Sequence, residues 1–154
     1  MTRYNGAGRY DDAIRLAQDW VREHPDDASD KAFMYQQMGF TYLSKAIRDP
    51  AHKDQWIQQA VVYFDEDLSI HPRSDGDIEL FLVGRGFESA GHYSTINRCV
   101  YYGRAVKAFE DEVPNIQGDT ITLAGTTVKL APIRQQNEKA LERAKLEFTG
   151  AGCK

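Results

Sequence analysis

The chain has 154 residues, of which 42 % are apolar and 27 % charged, which excludes a disordered or collagen-like protein and predicts a single domain with its own core. Acidic groups outnumber basic ones for a net charge of −4, and no basic run occurs, so the electrostatic footprint of a nucleic-acid binder is missing. No apolar stretch reaches the roughly 18 residues of a membrane span, and Arg3, Arg9, Asp11 and Asp12 stand where a signal peptide needs an apolar run.

Taken in chain order, apolar periodicity predicts helices near 10–24, 29–48, 54–71, 76–90 and 94–113. The first carries Ala13, Ala17 and Trp20 after the turn-prone Ala7-Gly8-Arg9-Tyr10 and stops at His24-Pro25. The second sets Tyr35, Met38, Gly39 and Tyr42 on one face. The third carries Ala60, Phe64 and Leu68 and stops at His71-Pro72. The fourth repeats the pattern of the second with Leu80, Val83, Gly84 and Phe87, and Ala90-Gly91-His92-Tyr93 then reads as a glycine ending one helix and an aromatic starting the next.

Helical period is lost over 115–131. The run from Thr120 to Leu130 is rich in Thr and β-branched residues, with Gly125 at a turn, and predicts a short hairpin with Ile121 and Val128 on a common face. From Pro132 a last helix sets Ile133, Asn137, Ala140, Leu141, Ala144 and Phe148 against a charged face that includes Arg134 and Arg143. Gly150 to Lys154 reads as a frayed tail. The expected organisation is helical repeats over 1–114, a hairpin or irregular insertion over 115–131 and a capping helix over 132–148.

The pairing of the second and fourth helices is a repeat. Glycine inside a helix costs about 1 kcal/mol relative to alanine, so Gly39 and Gly84, in register and 45 residues apart, need a packing reason. Close approach of a neighbouring helix supplies one. Together with Ala60, Phe64 and the helix-ending prolines, these residues resemble the tetratricopeptide repeat family over about residues 7–114, although the family repeat is only about 34 residues long. The surplus falls mostly in the polar stretch from Arg48 to Asp54.

The resemblance implies an all-α, right-handed antiparallel helix-pair solenoid. It also implies a concave surface lined by Phe33, Gln36, Gln37, Phe40, Leu43 and Ser44 from one helix and Ile78, Phe81, Arg85 and Glu88 from the next. Such a surface binds a peptide or protein segment through aromatic anchors and amide side chains. Family members that clamp an acidic C-terminus use Lys, Arg and Asn there, and with only Arg85 basic that ligand class is disfavoured.

Residues able to carry chemistry have structural readings. His24 and His71 precede helix-ending prolines, His52 falls in a polar loop and His92 in a turn, and no two share the i, i+4 spacing of a helical metal site. The acidic runs Asp65-Glu66-Asp67 and Glu110-Asp111-Glu112 point about 100° apart from residue to residue and read as solvated faces. Cys99 reads as a small buried hydrophobe, and whether it pairs with Cys153 is open. No catalytic group, metal or cofactor is called for. The expected function is therefore a non-catalytic interaction module with a protein or peptide partner. The alternative is a structural or assembly scaffold, either a fragment of a longer repeat protein or a subunit self-associating through Ile14, Ala17, Trp20 and Val21 of the first helix, which lacks a preceding partner helix. The compartment is open, with the cytoplasm as the default.

Overall fold

The computed structural model of the chain describes residues 7–70, 79–123 and 126–154. Among these the fold is helical apart from one two-stranded hairpin. The helices are α1 Tyr10–Glu23, α2 Ala28–Arg48, α3 Lys53–Ile70, α4 Glu79–Tyr93, α5 Arg98–Glu112 and α6 Leu130–Gly150. Short 3-10 turns at Pro50–His52 and Val113–Ile116 follow α2 and α5, and strands β1 Thr120–Leu123 and β2 Thr126–Lys129 precede α6. No helix among the described residues is long and apolar enough to cross a membrane. The chain forms two compact units, the first holding α1–α3 with the segment Tyr93–Ile96, the second holding α4 as far as His92, α5, the hairpin and α6.

In the first unit, Gly8 takes a positive φ of 73° that L side chains rarely adopt, and α1 starts two residues later. The helix ends where the His24 amide donates to the Trp20 carbonyl, just before Pro25. Asp27 caps α2 by accepting from the Asp30 amide at 3.1 Å. α1 buries Ala13, Ile14 and Ala17, with Ile14 and Ala17 clustering on Met38 of α2. α3 packs back along α2. A Cβ on Gly39 would stand 2.5 Å from Phe64 Cε1, so the glycine is what lets that fully buried ring reach the α2 backbone.

The second unit repeats this arrangement 45 residues on. A Cβ on Gly84 would stand 2.7 Å from Cε1 of the fully buried Phe109. Two helical turns later a second contact of the same kind occurs, with Gly91 under the ring of Tyr102, where a Cβ would meet Cδ1 at 2.7 Å. The corresponding positions in the first unit are Ala46 and Ile57, both buried. A larger ring thus goes with the smaller residue. Gly91 therefore serves close packing inside α4, which runs on to Tyr93, and does not end the helix as expected.

α5 starts at Arg98, four residues later than expected, because Ser94 and Thr95 are engaged elsewhere. In the first unit the Asp54 carboxylate accepts from the Ser94 hydroxyl at 2.9 Å, the Thr95 amide at 2.9 Å and the Thr95 hydroxyl. The expected hairpin forms in the register Ile121↔Val128. These two residues share a face and are half-buried, while Thr120, Thr122, Thr126, Thr127 and Lys129 are exposed. Gly125 lies outside the described residues, as do His71, Pro72 and Ile78.

α6 begins at Leu130, so Pro132 falls in its first turn, where a missing N–H costs no helical bond. It buries Asn137, Ala140 and Ala144. Asn137 Nδ2 donates to the Phe109 carbonyl at 2.9 Å, at the end of α5 where the Val113 amide turns instead to Glu110. Arg134, read as a surface charge, donates to the carbonyls of Ile116, Gln117 and Gly118 and ties down the chain before the hairpin. The expected frayed tail is ordered. Gly152 takes a φ of 74° and donates to the Thr149 carbonyl, and Cys153 donates to that of Phe148, a Schellman ending that aims Cys153 at Cys99. The two cysteines form a disulfide with Cα atoms 5.4 Å apart. Cys99 is exposed and bonded, not a buried thiol.

Candidate functional site

The residues expected to line a groove are unequally available. Phe33 is 52 % exposed, Gln37 and Phe40 are half-buried and Arg85 is exposed. Gln36, Leu43, Phe81 and Glu88 are buried, which corrects their assignment to an open surface. The Phe81 ring packs 6.0 Å from that of Phe109. The Glu88 carboxylate is held by Arg143, through Nε and through Nη2 at 2.9 Å, and by Arg85 at 3.2 Å. Phe40 packs T-shaped against Phe64 at 5.2 Å and so belongs partly to the core.

The self-association face is corrected likewise. Ile14 and Ala17 are covered within the chain by Met38, and Val21 packs against the same cluster. Trp20 stacks on His24 at 4.2 Å and is half-buried. Leu16, 48 % exposed, is the large apolar side chain that α1 leaves in water.

The three helices of the first unit frame a cleft of about 380 Å³ that sequence reasoning missed. α1 contributes Gln18, Val21 and Arg22, α2 contributes Tyr35 and Met38, and α3 contributes Gln59, Val62, Tyr63 and Glu66. Spacings of three and four residues put each set on one helix face. Val21 and Val62 give the cleft an apolar lining above the fully buried Met38; Gln18, Gln59, the tyrosine hydroxyls, Arg22 and Glu66 supply its polar groups. Val62 is 49 % exposed, an aliphatic side chain presented to solvent in a concave setting.

A ladder of rings stiffens one wall. Tyr35 and Tyr63 lie 6.0 Å apart, Tyr63 stacks on Tyr42 at 5.6 Å, and Tyr42 stacks on Trp56 at 6.1 Å. Lys45 Nζ sits 3.7 Å over the Trp56 ring, and Trp56 Nε1 donates to Asp49 at 3.0 Å. Burial pushes the Tyr35 and Tyr42 phenols up, with the Glu66 carboxylate adding to the effect at Tyr35, so both stay neutral in the physiological range. Gln18 Nε2 donates to the Tyr63 hydroxyl at 2.9 Å, which fixes the amide and presents its oxygen.

The second unit has an apolar cleft of about 450 Å³ between α5 and α6, lined by Gly103, Val106, Lys145, Phe148 and Thr149. Beside it the Tyr102 hydroxyl is bonded to Glu147, and burial with that carboxylate raises the phenol to about 12.

Among the described residues, those weighed for chemistry do not converge. His24 Nδ1 lies 2.9 Å from the Trp20 carbonyl and His52 Nδ1 is 3.0 Å from Asp49. Among the described residues no three His, Cys, Asp or Glu side chains are grouped to hold a metal ion. The acidic runs are not uniformly solvated. Asp67 and Glu112, each three residues after the packed ring of its helix, turn inward and are fully buried, with Asn115 donating to Glu112 at 3.2 Å. No family model, curated protein or solved structure matches this chain.

Proposed function

We propose that the chain is a non-catalytic protein–protein interaction module built from degenerate tetratricopeptide-like helix pairs, and that the cleft framed by α1, α2 and α3 takes its peptide partner. The observation that carries this reading is the pairing of an apolar lining at Val21 and Val62 with polar groups at Gln18 and Gln59. An extended peptide needs both: its aliphatic side chain leaves water, and its backbone amides find partners in side-chain amides that donate and accept. The volume lies within the roughly 300–1,000 Å³ usual for ligand clefts. The test is selection of displayed random peptides on the full chain, with Val62→Glu as the counter-selected variant. Peptides with medium-sized aliphatic residues that are lost on Val62→Glu support the reading, and equal recovery on both proteins overturns it.

A scaffold role is the second reading, favoured by the exposure of Leu16 on α1 and Phe33 on α2. Light scattering on the full chain separates the two. A monomer that binds selected peptides fits the module, and an oligomer dispersed by Leu16→Lys or Phe33→Lys fits the scaffold.

A further inference from the structure

The two cysteines of the chain are both consumed in the Cys99–Cys153 bond, which joins the first turn of α5 to the end of α6. Little else is buried there. Arg98, Cys99, Val100, Gly152 and Lys154 are exposed and Cys153 is half-exposed, so a solvent-borne reductant can reach the bond. The packing of α6 on α5 rests on contacts further along the pair. Phe148 lies in contact range of Gly103, Tyr102 bonds Glu147, Lys145 pairs with Glu110 at 2.7 Å, and Asn137 bonds the Phe109 carbonyl. None of these needs the disulfide. What does need it is the fixed place of the turn after Thr149, whose own bonds are three backbone hydrogen bonds, from Ala151 to Glu147, Gly152 to Thr149 and Cys153 to Phe148.

We propose that the Cys99–Cys153 disulfide is a reducible latch, whose two-electron reduction by a dithiol frees residues 150–154 from α5 and leaves the α4, α5 and α6 packing in place. In the reaction a thiolate of the dithiol attacks Sγ of the more exposed Cys99, the Cys99–Cys153 bond breaks, and Cys153 leaves as a thiolate that takes up a proton. The second thiol of the dithiol then attacks its own mixed-disulfide sulfur and expels Cys99. The dithiol ends as a cyclic disulfide, and its two electrons and two protons end on the cysteines. Arg98 and Lys154 are sequence neighbours of the two sulfurs, and basic neighbours favour the thiolates that exchange requires.

The test compares the full chain purified in air with the same sample treated with dithiothreitol under native conditions. Iodoacetamide should label neither cysteine before treatment and both after it. Amide exchange should quicken at least tenfold at Ala151, Gly152 and Cys153 and return to its first pattern with oxidised glutathione, while the backbone amide chemical shifts over residues 105–109 and 140–144 stay where they were. Labelling before treatment, resistance to the dithiol, unchanged exchange at 151–153, or displaced amide resonances over 105–109 and 140–144 would each overturn the latch. Cys153→Ser should show the reduced pattern with or without dithiothreitol. If it keeps the oxidised pattern, packing holds the turn and the bond is no latch.

Discussion

Gly39 is the position at which the packing argument can be tested most sharply, because alanine there has two opposing effects of known size. In an open helix Gly→Ala stabilises by about 1 kcal/mol. At Gly39 the new methyl would stand 2.5 Å from Phe64 Cε1 and 2.8 Å from Cδ1 and Cζ, against a ring with no exposed surface and with the Phe40 ring already packed on it at 5.2 Å. The ring must retreat by on the order of 1 Å, which in a close-packed core costs toward the upper end of about 1–3 kcal/mol. Gly39→Ala should therefore lose about 2 kcal/mol net. Gly103→Ala is the control, since its methyl would meet only Phe148 at 3.6 Å and should gain stability. Both tryptophans, Trp20 and Trp56, belong to the first unit, so their fluorescence in a urea titration reports on Gly39 directly. With a slope of about 1–3 kcal/mol per molar, the midpoint should fall by roughly 1 M. Phe64→Leu should soften the penalty in a double-mutant cycle, because the two residues share one contact. A Gly39→Ala protein as stable as the parent would refute the close approach of α2 and α3.

Removing both cysteines opens a loop closed across a sequence separation of 54, and on chain entropy alone Cys99→Ser/Cys153→Ser should cost up to about 4 kcal/mol, read by far-UV circular dichroism in urea; a loss under 1 kcal/mol would contradict it. The Glu88–Arg143 pair should behave asymmetrically, since the Glu88 side chain is 8 % exposed and that of Arg143 is 44 % exposed. Arg143→Ala strands a buried carboxylate on Arg85 alone and should cost about 3 kcal/mol, whereas Glu88→Gln leaves a cation that water can reach and should cost about 1 kcal/mol; the reverse order in denaturation would be wrong for this geometry. At Asp54 burial disfavours the charge, but the hydrogen bonds from Thr95 and Ser94 outweigh it and hold the carboxyl below its ordinary value. A depressed folded pKa stabilises above the unfolded value of about 3.9 and stops doing so as pH falls through the folded value, so Asp54→Asn should flatten the acid limb of the stability curve below about pH 4. An unaltered acid limb would show that these bonds contribute nothing.

The glycines at 39 and 84 were legible in the sequence because a helix-interior glycine is costly and two in register demand a close neighbour. Gly91 was misread because glycine also ends helices, and only the Tyr102 ring pressed on it tells the two uses apart. Asp67 and Glu112 were hidden by their acidic neighbours. Their position three residues after Phe64 and Phe109, on the same helix face as those rings, was the signal available. Cys99 and Cys153 are too far apart in sequence for spacing to join them; the α6 ending that aims Cys153 at Cys99 does so in the fold. The candidate site suffered most. A family resemblance chose one face of the second helix, where Gln36 and Leu43 prove buried, while the cleft uses the α2 face carrying Tyr35 and Met38. Nothing in the sequence singles out Gln18 and Gln59, which meet only when three helices are brought together.

The interaction reading is tested most directly by mapping a selected peptide on the full chain through backbone amide chemical shifts. The account predicts saturable shifts concentrated at Gln18, Val21, Tyr35, Met38, Gln59, Val62 and Tyr63, abolished by Val62→Glu while the rest of the spectrum is retained. Shifts centred instead on Phe33 and Arg85, or binding unaffected by Val62→Glu, would contradict it.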